Sequence, residues 1–483
     1  MKNTMVAVLG LSALLAEASL PVTACAAEAA TPQPQEFPDV SGILETLSTT
    51  GAINRRGAFF QSLGTNGRTC GTCHVPEEAF SLSPVSASLT FLLTQGRDPL
   101  FAPVDGANCP TARRGDPAAH SLILKYGLFR ISIPLPANAQ FTISVVHDPY
   151  GCAIMMDPKT GQEDISVFRR PLPATNLSFL SDVMIDGRET VAALGVGDPY
   201  PGNLLIDLKQ QAADATTGHA QALAPPTDAQ LTDIVNFEFG LYTAQSLDWR
   251  AGALMADGAQ GGALVLSRQE FYPGMNDARG SDPTGMPFDP SSMTLFTAWD
   301  VPMIPATPEE GNRDAARAAI AAGEVVFDTA PLITGGGGVT HCATCHDTPN
   351  TGDRSLTGMF DIGASHSALP NTESNPQISA ALTQLSLPDL PVYLISGCPD
   401  TTDPTQTVSF YTTDPGRALI TGKCSDLYKV KVPVLRGLAA RAPYFHNGSA
   451  ANLMQVVDFY NQRFEMGLTA EQKSDLAAFL AAL

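Results

Sequence analysis

The sequence predicts a mainly α fold, with two small helical domains, long loops and one small inserted β-hairpin region. Three observations predict it. The pattern Cys-x-x-Cys-His occurs twice, at Cys70–His74 and at Cys342–His346, far apart in the chain. The clearest helix signals lie on both sides of the second pattern, where they would enclose it. The chain also holds 41 Gly and 38 Pro in 483 residues, which favours loops around small helical cores over a large sheet.

In chain order, residues 1–26 read as an export signal. Lys2 gives a basic start, Met5 to Ala16 are apolar, and small residues lead to Ala24-Cys25-Ala26. The apolar run is too short to anchor the chain across a bilayer. Val22-Thr23-Ala24-Cys25 also resembles a lipoprotein box, so a membrane tether is expected only if Cys25 is lipidated. The mature chain is expected in the periplasm. Residues 28–40 read as a Pro- and Ala-rich arm.

The first domain is set at 27–310, with inserted segments at about 90–165 and 250–310. Arg130–Leu135 and Phe141–His147 alternate or are β-branched and read as a hairpin. Asn203–Ala215 reads as a helix, with Leu204, Leu208, Gln211 and Ala215 on one face. Thr227, with Gln230 three residues on, reads as the capping box of a second helix that turns Leu231, Ile234 and Val235 inward. Residues 250–310 show no period and read as loop and linker. The second domain, 311–483, opens with an Ala-rich helix over Asp314–Phe327. It closes with a helix announced by Thr469-Ala-Glu-Gln472, whose Leu476, Phe479, Leu480 and Leu483 share a face. Gly323 and Phe327 are expected to cross Phe479, and Gly57 and Phe60 to repeat that arrangement before the first motif.

Cys-x-x-Cys-His places two thiols where they can add to the vinyl groups of one haem, and the adjacent His where it can reach the iron. A zinc site would need its Cys pairs close together or a His pair at zinc spacing, and neither is present. Two covalently bound c-type haems are therefore expected, on Cys70, Cys73 and His74 and on Cys342, Cys345 and His346. This gives two cytochrome c-like haem domains. A net charge of −20 argues against a nucleic-acid partner. Of nine cysteines, Cys25 falls in the signal and four in the motifs. Among three possible pairings of the rest, the local ones, Cys109–Cys152 and Cys398–Cys424, are expected in an oxidising compartment.

Beyond these patterns the sequence resembles a known family. Val432-Pro-Val-Leu-Arg436-Gly-Leu-Ala-Ala-Arg-Ala-Pro443-Tyr-Phe-His446-Asn-Gly448-Ser, followed by Val456-Val-Asp-Phe-Tyr460, is similar to the C-terminal half of bacterial diheme cytochrome c peroxidases and their relative MauG. The stretch from Phe37 through the first motif, Asp186-Gly187-Arg188 and the helix after it resembles the N-terminal half. The resemblance implies a peroxidase that reduces hydrogen peroxide at the N-terminal haem with electrons passed through the C-terminal haem. A small cytochrome or cupredoxin would be the donor. It implies Tyr460 as the distal ligand of the second haem, where the family's peroxidases have Met, with Met454 and Met466 as nearby alternatives. His446 and Arg436 would lie around that haem. On the distal side of the first haem it implies Gln211. The family's Glu has no clean counterpart, but His219 falls near its place, as acid–base group, iron ligand or surface histidine. Ile185 stands where the family has an inter-haem Trp; Trp249 and Trp299 lie elsewhere. The resemblance also implies a calcium ion between the domains, held by Asn176 and backbone near Arg441 and Pro443. Rival readings are a diheme oxygenase like the rubber oxygenases, and a pure electron carrier.

Overall fold

The computed structural model describes residues 33–157, 160–192, 194–197, 199–301, 305, 307–334, 337–403 and 405–483. The export signal and the start of the arm lie outside the described residues. Strands replace the rest of the arm: Gln35–Pro38 pairs antiparallel with Gly42–Ser48, which pairs with Leu241–Asp248. The Gly42–Ser48 strand is covered on both faces, so its residues do not alternate and it carries no period-2 signal.

The helices fall close to expectation. Gly202–Gly218 covers the expected helix, and Leu204 and Leu208 are fully buried on it. Asp228–Phe239 begins at the Thr227/Gln230 capping box and buries Ile234 and Val235. Pro308–Thr329 starts at its own capping box, Thr307 with Glu310, and crosses Ala470–Ala481. Gly323 permits the crossing, because a Cβ there would lie 2.0 Å from the Asp475 carbonyl oxygen. Phe327 and Phe479 meet at 5.7 Å beside His346. Before the first motif the matching element is a single 3₁₀ turn, Ala58–Phe60, whose Phe59 packs on Phe237 at 4.8 Å.

The mainly α expectation fails. Helix makes up 32% of the chain and strand 16%, spread over ten α-helices and five small sheets among the described residues. The expected hairpin is also absent. Phe129–Pro134 pairs with Glu163–Arg169, and Thr142–His147 pairs with Val392–Ser396 from the other end of the chain. Val392–Pro399 buries Val392, Tyr393, Ile395 and Cys398, so it needs partners on both edges: Thr142–His147 on one and Thr407–Thr412 on the other. Tyr393 Oη donates to the carbonyls of Ala153 and Ser166 and so joins two sheets. Cys398 and Cys424 are disulfide-bonded, whereas Cys109 and Cys152 are unbonded thiols within hydrogen-bond reach of each other. Residues 250–310 are mainly irregular, as expected, and the Pro308–Thr329 helix begins where they end. No helix among the described residues is long and apolar enough to cross a membrane.

Candidate haem sites and their surroundings

Each Cys-x-x-Cys-His pattern folds into a 3₁₀ turn that bends the chain so that its thiols and imidazole can face one group. In the first, Thr69 N–H donates to Thr72 Oγ1 at 3.0 Å and His74 N–H to the Cys70 carbonyl at 3.0 Å. The second repeats this, with His346 N–H on the Cys342 carbonyl at 2.9 Å. His74 Nδ1 donates to the Phe80 carbonyl at 2.9 Å, and His346 Nδ1 donates to the Gly352 carbonyl. Both bonds fix the tautomer whose Nε2 keeps its lone pair for a metal. Burial pushes both imidazoles below their ordinary value, that of His346 to about 4, so both rings are neutral. The four motif cysteines are unbonded. This donor set fits covalent haem at both motifs.

The first motif opens on a cavity. Cys70, Cys73 and His74 share its lining with Gln211, Ala215 and His219 of the Gly202–Gly218 helix and its C-cap, and with Ile185. His219 is held from behind: its Nδ1 donates to Asp105 Oδ2 at 2.5 Å. Asp105 also receives the Arg68 guanidinium, whose Nε donates to the Pro99 carbonyl at 2.8 Å. Burial raises the Asp105 carboxyl, but the His219 and Arg68 hydrogen bonds outweigh it and hold the group below the ordinary carboxylate range. A carboxylate on Nδ1 leaves Nε2 of His219 as the atom that can take or give a proton.

Sequence reasoning missed Asp105, which lies in the inserted segment 114 residues before His219. It also missed Glu238, which lines the same cavity, is 6% exposed, and has no partner for Oε2. Burial pushes its carboxyl up to about 8. The available signal was a charge on the inward face of a helix, four residues after Ile234.

Around the second motif, Tyr460 lies on the Leu453–Arg463 helix, among Phe445, Phe459 and Phe464. Burial, then the charges of Cys345 and Cys342, raise its phenol well above the ordinary value. Met454 is 38% exposed, while Met466 is buried in the core that Tyr460 packs against. Arg436 is 1% exposed; Nη1 donates to the Asn350 carbonyl at 2.9 Å, four residues past His346, and its Nε and Nη2 have no partner. Such a buried cation with free donors fits a carboxylate of a bound group. His446 lies within 3.7 Å of Asp414, which pairs with Arg169 in the lining of the first cavity.

Asn176 is committed elsewhere. Its Oδ1 accepts from Thr243 N–H at 2.8 Å and its Nδ2 donates to the Thr243 carbonyl at 2.9 Å. The carbonyls of Arg441 and Pro443 both accept from Arg170 Nη1, while Nη2 serves Leu82. Trp249 is 57% exposed, and Trp299 is buried against Phe296 and Arg317.

No protein-family model matches the chain. Among curated proteins, it is 34% identical over 161 residues to cytochrome-c peroxidase IdrP2 of Denitromonas iodatirespirans, covering 32% of this chain and 37% of that protein. It is 37% identical over 81 residues to cytochrome-c peroxidase IdrP1 of Pseudomonas sp. (strain SCT), covering 14% and 21%. The chain thus spans about a third or less of the curated relatives it matches. Among solved structures, it is similar to a MauG-like protein associated with microbial copper homeostasis. That likeness has 14% identity and a TM-score of 0.36, over 89% of this chain and 87% of that one, and no argument rests on it. With its two motifs, the chain is a relative of the cytochrome-c peroxidases that it matches over part of their length.

Proposed function

We propose that the chain is a periplasmic diheme c-type cytochrome that reduces hydrogen peroxide at the first motif, with electrons passed through the second. The observation that carries the reading is the His219–Asp105 pair in the cavity of His74. The relatedness to cytochrome-c peroxidases supports it.

Covalent haem would be held by Cys70, Cys73 and His74 and by Cys342, Cys345 and His346, and supplies the iron at which peroxide is held and electrons are exchanged. The chain's own residues manage the protons. Turning hydrogen peroxide into two waters takes two electrons and two protons, and one proton must move from the near oxygen to the far one. His219 Nε2 takes that proton and gives it back. Asp105 stabilises the imidazolium in between and keeps the ring from rotating. Gln211, on the same helix, is placed to orient the oxidant. Tyr460 would help hold the second haem, its phenol supplying an oxygen donor.

The test is peroxide consumption with a small-molecule reductant by the haem-loaded protein and by His219→Ala. The substitution should slow the reaction at least tenfold, since acid–base groups contribute roughly 10²–10⁴. Oxygen uptake without peroxide would instead favour the oxygenase reading, and six-coordinate iron at both motifs would favour a pure electron carrier.

A further inference from the structure

Two buried connections lead from the first cavity toward the second motif. One is a backbone run. Val434 lines the cavity, and the N–H of Leu435 beside it donates to the Thr351 carbonyl at 2.9 Å. Gly352 follows Thr351, and its carbonyl accepts from His346 Nδ1. From the cavity wall to the imidazole of the second motif, this run consists of covalent bonds and two hydrogen bonds. The other connection is a row of side chains. Arg169, in the cavity lining, pairs with Asp414, whose Oδ2 lies 3.7 Å from His446 Nε2. That row ends at Phe445, which packs on Tyr460.

The backbone run is tightly built. Gly352 has a φ of +69°, and a Cβ there would lie 2.9 Å from Leu435 Cδ1 and 2.7 Å from Met293 Cε. Glycine lets the two segments close to this distance. Arg436 Nη1 donates to the Asn350 carbonyl at 2.9 Å and pins the same loop from the next residue. Thr351, Val434 and Leu435 are all buried, which keeps water out of the run. The cavity itself offers no stepping stone: among the described residues no Tyr or Trp lines it, and Ile185 is aliphatic. An electron crossing from the second motif must then tunnel, and tunnelling weakens less along bonds and hydrogen bonds than across a gap. The 3.7 Å step from Asp414 to His446 is beyond hydrogen-bond range, whereas both non-covalent steps of the backbone run are within it.

We infer that electrons pass from the second haem to the first along His346, Gly352, Thr351, Leu435 and Val434, with the Leu435–Thr351 hydrogen bond joining the two halves of the path. The inference rests on the peroxidase reading and names the internal route which that reading requires. Each crossing takes one electron from the second iron and gives it to the first. No covalent bond forms or breaks, and the proton on His346 Nδ1 stays where it is. Two crossings and two protons turn one hydrogen peroxide into two waters.

The test delivers one electron to the haem-loaded, fully oxidised protein by pulse radiolysis and follows its redistribution between the haems by absorbance. The single-haem variants Cys70→Ala and Cys342→Ala supply the reference spectrum of each haem. Leu435→Pro lacks the N–H and should slow redistribution at least tenfold, with both midpoint potentials unmoved. His446→Leu, which cuts the side-chain row, should leave the rate within twofold. An unchanged rate in Leu435→Pro overturns the inference, as does a slowing that shifted potentials fully account for, or a loss confined to His446→Leu. Should the proline variant fail to hold both haems, Val434→Ala is read instead. It opens a gap at the cavity end and should slow redistribution at least threefold, and an unchanged rate there also overturns the inference. Peroxide turnover with a small-molecule reductant is measured separately. Its absence, with redistribution intact, removes the peroxidase reading and leaves the route in place.

Discussion

His219 and Asp105 are joined across 114 residues by one hydrogen bond, from Nδ1 to Oδ2 at 2.5 Å, beside the cavity that His74 lines. Asp105 therefore acts through His219 and is a positioning residue. Asp105→Asn should slow the peroxide reaction by about tenfold or more, as expected when an acid–base group loses its partner. A structural role alone would lower haem content and rate together, whereas a role in orienting His219 lowers the rate at full haem content and leaves Asp105→Glu partly active. Stopped-flow rates from pH 5 to 8, with haem content measured by pyridine haemochrome, check both.

The two Cys-x-x-Cys-His patterns were readable because each lies in five consecutive residues, so Cys70–His74 and Cys342–His346 needed no tertiary information. Capped helices were equally legible at Thr227, Thr307 and Thr469, where the signals are local. Asp105 was not, because its meaning depends on a residue 114 positions away. The strands failed for a related reason. Thr142–His147 carries a period-2 pattern, but nothing local says that its partner is Val392–Ser396 rather than the strand just before it. Short strands buried on both faces, such as Gly42–Ser48, lack even that pattern.

Haem stoichiometry follows from the motifs. The intact mass of the mature protein should show two haems per chain, and Cys70→Ala and Cys342→Ala should each lose one stable attachment. A mass with one haem or none would remove the basis of the functional reading.

Tyr460 decides the character of the second site. Its ring packs against Phe445, Phe459 and Phe464, and the phenol feels the charges of both motif thiols. As a phenolate on iron it would donate charge and lower the reduction potential. Tyr460→Phe should then convert a low-spin ferric signal to a high-spin or water-ligated one, with the covalent haem intact, as read by EPR. Survival of the low-spin signal would pass the role to Met466, since Met454 is 38% exposed.

His366 offers a pH test of the segment that packs beside Tyr460. Its ring is held between Glu373 on Nδ1 and Asp361 on Nε2 at 3.1 Å, and stacks on Tyr428 at 3.6 Å. Burial alone would lower its pKa, but the hydrogen bonds and charges of Asp361 and Glu373 raise it above 6.5. A raised folded pKa means that the stabilisation is fully present below about 6.5 and is lost as pH rises through the folded value. The melting temperature of His366→Gln should therefore lie furthest below that of the unsubstituted protein in mildly acidic solution, by an amount corresponding to roughly 2 kcal/mol, typical of charged hydrogen bonds. The gap should narrow as pH climbs. A gap independent of pH would mean that His366 contributes packing alone.

The last prediction concerns the cation between the two motif-bearing halves. Sequence resemblance placed calcium there, on Asn176 and the backbone near Arg441 and Pro443. In the structure the Asn176 amide is spent on both backbone groups of Thr243, and the Arg441 and Pro443 carbonyls accept from one nitrogen of Arg170. The other terminal nitrogen reaches Leu82, which leads from the first motif into the helix that follows. Arg170 thus supplies the positive charge, and it is covalently part of the chain, so it cannot be removed by a chelator. EDTA should leave the haem spectra and the melting temperature unchanged. Arg170→Ala leaves buried carbonyls without donors, at about 1–3 kcal/mol for each group, and should lower the melting temperature by several degrees. The vacated carbonyls should then make stability calcium-dependent, so added calcium should restore part of the loss in the variant while leaving the unsubstituted protein unmoved. If EDTA destabilises the unsubstituted protein, a metal ion holds the two halves together alongside Arg170, and the guanidinium is not the cation that matters.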